Sequence, residues 1–326
     1  MSRSLIALAL LTFAGAAAAA PAPLLPARLG GASQVQKVNP GALAKPEVWR
    51  EFGLVARESA RYSNRGVVTA YQLQDVTGAF AAWEWLRSVD DHRCNLTELC
   101  AANTAGTLTS TANYVVYFQG FTPTPEEVKA LYAGLPSLHD GAPPPLLAFV
   151  PRAHLVPNSS RYVLGPEGLQ AVAPELTEAH PGFDQGAEAH FTTYQIEGRP
   201  IRLCLFYYPS PEMARLHTIG FKLIPGTLVK RSGVLVAIVL PGATDKQAEA
   251  VLSQIEYQAK ITWNEKAAAN PIPELYRLLL NIVIVSVILA ALALAAGLMY
   301  AGMRIYRRRY GNLEEQEAMT TLHLGS

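Results

Sequence analysis

The sequence predicts an α+β protein of two duplicated units, each running two strands, helix, strand, helix with mainly antiparallel sheets, plus one C-terminal transmembrane helix. Three observations predict it. Strand pairs are read at Gly53–Gln74, where Val67, Thr69, Tyr71 and Leu73 form one face at period two, and at His190–Tyr208, a hairpin about Gly198. Capping signals at Thr124 and Thr244 open two matching helices, and the apolar strands before them keep the same offset. The run Leu278–Met303 holds no charged residue. As a helix it is about 39 Å long, against roughly 30 Å of bilayer hydrocarbon. Chance recurrence of a common element order is the bland alternative to duplication.

The boundaries follow from composition. Residues 1–19 read as a signal peptide: Arg3 gives a positive start, Leu5–Phe13 an apolar centre and Ala16–Ala20 a small-residue cleavage zone, cut after Ala18 or Ala19. An uncleaved anchor is the other reading. Residues 20–47 are rich in Pro, Ala and Gly and read as a flexible lead-in. The first α+β half covers 48–140, a linker 141–160, and the second half 161–266. The transmembrane helix covers 275–303 and a cytoplasmic tail 304–326.

Within the first half, Gly53–Ser63 and Gly66–Gln74 form a hairpin about Asn64-Arg65. Asp75 caps a helix to about Ser88, with Val76, Phe80, Trp83 and Leu86 on one stripe. Asp90–Gly106 has no period and reads as a loop; Thr107–Gln119 reads as one central strand. Thr124-Pro125-Glu126-Glu127 is a capping box with Pro at the first helical position, and Val128, Leu131, Tyr132 and Leu135 make the buried stripe. In the second half Glu167–Val172 is a short helical turn, and His190–Glu197 and Arg199–Tyr208 a hairpin about Gly198. Ser210-Pro211 opens a helix. Thr227–Leu240 is a strand pair or one long strand. Thr244–Gln247 is a second capping box, and Gln258–Asn264 a last short strand.

Cys94 and Cys100 lie in the aperiodic loop. In an exported compartment such a pair oxidises, so a disulfide is expected; the spacing is wrong for a zinc site. Cys204, within Leu203-Cys204-Leu205-Phe206, reads as a small buried hydrophobe. Asn95-Leu96-Thr97 and Asn158-Ser159-Ser160 match the glycosylation pattern, which has meaning only in a eukaryotic secretory pathway.

Arg304, Arg307, Arg308 and Arg309 follow the apolar run at once, whereas Arg277 stands alone before it. The positive-inside bias puts the C-terminus in the cytoplasm and the folded part outside, as a single-pass protein of the bacterial inner membrane. The lipid bilayer is thus one partner. Ala293, Gly297 and Ala301 place small residues on one helix face, the pattern of a homodimer contact. A net charge of +1 gives no electrostatic case for a nucleic-acid partner.

No catalytic motif and no cofactor fingerprint occurs. The densest polar constellation is His180, Asp184, Glu188 and His190, two imidazoles and two carboxylates that hold a divalent metal only if their loop folds back. The bland reading is a solvated entry to a hairpin. Asp90-Asp91-His92 and His139-Asp140 read as exposed loop residues, and Trp85, off the core stripe, as reaching a groove or the opposite half, with packing the bland reading.

Four stretches carry a resemblance: Tyr71–Ala82, Val156–Pro166, Phe183–Glu188 and Tyr208–Pro211. Together they resemble a bacterial family of exported, often membrane-anchored proteins catalogued as a domain of unknown function. The resemblance implies a bacterial envelope protein and brings no activity. Three functions are consistent with these readings. The first is a non-enzymatic binding or assembly module facing an unknown envelope protein. The second is a metal-assisted hydrolase using His180, Asp184, Glu188 and His190, and the third an accessory subunit reached through the span and tail.

Overall fold

A computed structural model describes residues 23–256 and 271–310, with side chains of the last helix from residue 279 onward. The signal peptide, the strand at 258–264 and the tail beyond Tyr310 lie outside the described residues. The described residues divide into two units, one within 1–259 and the other within 260–326.

The first sheet draws on β1 (Arg28–Leu29), β2 (Ala32–Val38), then, after helix α1 (Pro46–Glu51), β3 (Leu54–Tyr62) and β4 (Val67–Leu73). Helix α2 (Val76–Leu86) follows, then β5 (His92–Arg93), β6 (Leu99–Asn103), β7 (Gly106–Thr111), β8 (Tyr114–Gln119) and helix α3 (Pro125–Gly134). The strand order is β1-β2-β3-β4-β8-β7-β6-β5. The second sheet begins at β9 (Arg161–Val163), continues past helix α4 (Pro166–Val172) to β10 (Glu188–Ile196) and β11 (Arg199–Tyr207), and ends, after helix α5 (Pro211–Lys222), with β12 (Leu228–Ser232) and β13 (Leu235–Val239). Its order is β12-β13-β11-β10-β9, and helix α6 (Asp245–Leu252) closes the unit. Every pairing in both sheets is antiparallel.

Side-chain alternation decides the layering. On β8, Tyr114, Val116 and Phe118 face α3, while Val115 faces α2. On β13, Leu235, Ala237 and Val239 face the same middle core as α2, while Val236 and Ile238 face α5. The stack is therefore α3, first sheet, a middle layer holding α1, α2 and α6, second sheet, then α5 with α4. Small residues let α2 lie between two sheets: Gly78, Ala79, Ala81 and Ala82 are all buried. Gly78 has no alternative, because a Cβ there would stand 2.1 Å from the Phe52 carbonyl oxygen.

The expected caps form. Asp75 Oδ1 accepts from Gly78 N at 2.8 Å, and Ser210 Oγ from Met213 N at 3.2 Å. Thr124 and Thr244 each complete a capping box, with Glu127 and Gln247 reaching back.

Four stretches depart from the sequence reading. The lead-in 20–47 contains β1 and β2, and Leu24, Leu25 and Leu29 are buried under α3. Strand β2 is nearly solvent-facing along its length, so its polar sequence carries no apolar alternation. The supposed loop 90–106 contains β5 and β6; β6 is built on Cys100, Ala101 and Ala102, too small to signal a strand. The stretch 107–119 is a hairpin rather than one strand. It turns at Ala112 (φ 52°) and Asn113. Buried Asn113 replaces the missing turn signal: its amide donates to the Leu73 and Ser137 carbonyls, and its oxygen accepts from His139 N. The linker 141–160 is tied down; Leu146 is fully buried, and Val156 N and Thr193 O are 2.8 Å apart.

The second unit holds helix α7 (Pro271–Tyr310), of which Leu279–Tyr310 is long and apolar enough to cross a membrane, with a mean hydropathy of 2.8 over an 18-residue window and no buried residue. Within it Ser286 Oγ donates to the Ile282 carbonyl at 2.8 Å, so its hydroxyl needs no water.

Candidate functional site

The polar residues that the fold gathers lie where α2 passes between the two sheets. Glu84, near the end of α2, is 3 % exposed. Its carboxylate meets His190 Nε2 at 3.1 and 3.3 Å and Arg87 Nη2 at 3.4 Å. His190 stands on the inner face of β10, 4 % exposed, beside the rings of Phe80 and Tyr162. Arg87 stacks its guanidinium on Trp83, 4.4 Å from the ring centroid. Burial lowers the pKa of Arg87; Glu84 opposes that shift and Arg161 adds to it.

The segment entering β9 clamps the carboxyl end of α2. Arg161 Nη2 donates to the Arg87 carbonyl at 3.1 Å, and Nη1 to the carbonyls of Asn158 and Ser160. Asn158 Nδ2 donates to the carbonyls of Val89 and Asp91. A cation on the last carbonyls of a helix is favourable twice, as donor and as counter-charge to the helix dipole. Next to Arg161, the Tyr162 hydroxyl donates to Glu188. Burial, then Glu188, hold that phenol far above its ordinary pKa.

At the amino end of α2, Glu51 from α1 accepts from Glu167 N at 2.7 Å and Gly168 N at 2.8 Å, tying the two halves again. Burial raises the Glu51 carboxyl above its ordinary value of 4.5, against the two amides, which lower it. The folded state therefore holds this proton to higher pH than the unfolded chain does. The Glu51 contribution to stability is complete below the unfolded value and is lost as pH rises through the raised one. We expect wild-type protein to lose stability relative to Glu51→Gln between about pH 4 and about pH 7. Urea midpoints at the two pH values check this, and an unchanged difference contradicts it.

Two clefts flank the helix. One, of about 280 Å³, lies at its amino end and includes Glu51, Asp75 and Glu188. The other, of about 360 Å³, lies at its carboxyl end and is lined by Trp83, Arg87, Arg93, Asn158 and the disulfide residue Cys100. The disulfide Cys94–Cys100 forms as expected, and Cys204 is free and buried. The bridge closes a short loop, which is worth about 2 kcal/mol in the chain-entropy account.

The four residues singled out as metal candidates do not converge. His180 and Asp184 are exposed, on either side of a tight turn; Glu188 is taken by Tyr162, and His190 faces Glu84. The His180 carbonyl meets His217 Nδ1 at 2.9 Å. Among the described residues no group of three or more His, Cys, Asp or Glu side chains could hold a metal ion. Asp91, read as a loop residue, accepts from Ser88 N and Asn103 Nδ2. Trp85 meets Phe52 edge-on at 6.0 Å.

Glu84, Arg87 and Arg161 escaped the sequence reading. The available signal was a carboxylate between two tryptophans on an otherwise apolar helix, a position where a charge requires a partner. The stretches Tyr71–Ala82, Val156–Pro166 and Phe183–Glu188 all come together around α2, through Asp75, Arg161, Tyr162 and Glu188. Comparison of the chain with protein-family models, with curated proteins and with solved structures finds no match.

Proposed function

We propose that this chain is a bacterial envelope protein, held in the inner membrane by α7, whose exported α+β domain is a binding or assembly module. The observation that carries the reading is the seam. Its chemistry-bearing side chains engage one another, Glu84 with His190 and Arg87, Tyr162 with Glu188, while the surface at both ends of α2 opens into clefts. Export is supported by the signal-like residues 1–19, the arginines after the apolar run and the disulfide. Membership of the uncharacterised exported family rests on the four stretches named above.

Duplication is part of the same proposal. The inner strands β3-β4-β8-β7 and β10-β11-β13-β12 share one order, each formed by two hairpins with a helix between them. Both second hairpins turn on a left-handed first residue, Ala112 (φ 52°) and Gly233 (φ 58°). Relative to the Thr124 and Thr244 caps these strands are slipped by one residue. The stacking is head to tail, with the first unit's α2 and the second unit's α6 sharing the middle layer.

Photo-crosslinking in intact cells tests the function. With a crosslinking amino acid at His92, on the rim of the larger cleft, the full chain should yield a discrete adduct, and at exposed Arg199 on the hairpin turn it should not. Equal labelling at both positions, or none at either, would overturn the binding reading. External protease on spheroplasts, digesting the domain but sparing a C-terminal reporter, is the expected topological result.

A further inference from the structure

The larger cleft shows what it would bind. Trp83 forms its floor at 6 % exposure, with Arg87 stacked on the indole. Two buried N–H groups there have no acceptor, Trp83 Nε1 and Arg87 Nε. Orphaned buried donors are rare enough in folded proteins to require an explanation. Neither an indole nor a guanidinium can accept a hydrogen bond, so whatever completes them must be an acceptor. Arg93 and His92 add donors at the rim, and Glu98 is the one carboxylate among the lining residues. Glu84, behind Arg87, is held by His190, and the Asn158 amide nitrogen is committed to the Val89 and Asp91 carbonyls. Two guanidiniums therefore face the space against a single carboxylate. Both residues line the cleft, and both N–H groups are shielded from bulk solvent. Guanidinium donors favour a charged oxygen over a neutral one. At about 360 Å³ the space lies in the range of small-molecule sites.

Resting on the binding reading above, we propose that this cleft is a site for a small ligand carrying an oxyanion, with its apolar body against Trp83 and Leu99. Carboxylates and phosphate esters share the required chemistry, and the test separates them.

The full chain in detergent micelles, labelled with 5-fluorotryptophan, gives one ¹⁹F resonance for each of its 4 tryptophans; Trp83→Phe assigns the relevant one. Benzoate, neutral benzamide and phenyl phosphate are added separately up to about 10 mM, enough to saturate a site with a Kd of roughly 1 mM. The expected result is a saturable shift of the Trp83 resonance alone with benzoate or phenyl phosphate, and none with benzamide. Benzoate alone identifies a carboxylate site, and phenyl phosphate alone a phosphate-ester site. Arg87→Gln should weaken binding about tenfold or more, and the rim variant Arg93→Gln, which leaves the packed floor intact, by about threefold to tenfold. The control Arg199→Gln should leave it unchanged. No shift with either anion, an equal shift with benzamide, or undiminished binding in Arg93→Gln would overturn the proposal. A crosslink at His92 that persists while both anions fail would sink the oxyanion and leave the binding module standing.

Discussion

Replacing Glu84 by Ala should destabilise the domain by about 3–5 kcal/mol, the usual cost of removing one member of a buried ion pair. The magnitude follows from what is left behind. Arg87 loses the carboxylate that offsets its burial, and His190 Nε2 loses its partner in a place water does not reach. A leucine in both places would be a different experiment, because paired removal of buried charges is often neutral. Chemical denaturation of the full chain, followed by circular dichroism of the domain, measures the effect. Glu84→Gln, which keeps an acceptor for His190, should lose less than Glu84→Ala. A loss below about 1 kcal/mol for the alanine variant would mean that the seam is solvated and the network described above is not what joins the halves.

Phe206→Ala should cost a similar amount, about 3–5 kcal/mol, by a different mechanism. Phe206 is fully buried on the outer face of β11. Its ring lies 4.8 Å from Phe221 on α5, 6.1 Å from Phe183 and 6.2 Å from Tyr208, centroid to centroid. Neighbours on a sheet, a helix and a tight turn cannot all collapse into the space that the ring vacates. The same truncation at exposed Val89 should stay within about 0.5 kcal/mol of wild type. Equal losses at the two positions would sink the claim that α5 is fixed by this aromatic cluster.

The pattern of what the chain discloses in advance is physical. Helix starts were legible because a capping hydroxyl and its reciprocal Glu or Gln act over three residues, as at Thr124 and Thr244. The strands His190–Ile196 and Arg199–Tyr207 were legible because Gly198 (φ 75°) marks the turn between two strand-like runs. Strand β2 was not, because a nearly solvent-facing strand has no buried face to record. The turn at Ala112-Asn113 was not, because its stability comes from Asn113 reaching Leu73, Ser137 and His139, all distant in sequence. The site divides the same way. The disulfide pair could be expected from the compartment that the sequence predicts, whereas Glu84 and His190 are 106 residues apart and nothing local connects them. His190 did attract notice, but for company it does not keep: its partner is Glu84, not His180 or Asp184.

The ends of both sheets have a consequence for crowding. The first sheet terminates in two-residue strands, β1 and β5. The second terminates in three-residue β9 and in β12, which carries Lys230 and Arg231. Strand β1 covers only Ala32 and Ser33 of β2, and the open remainder of that strand carries Lys37, a charge that discourages another chain from extending it. A domain fastened to a bilayer would diffuse in two dimensions and collide with its own kind repeatedly. Stubby, charged margins let such collisions end in separation rather than in fibrils.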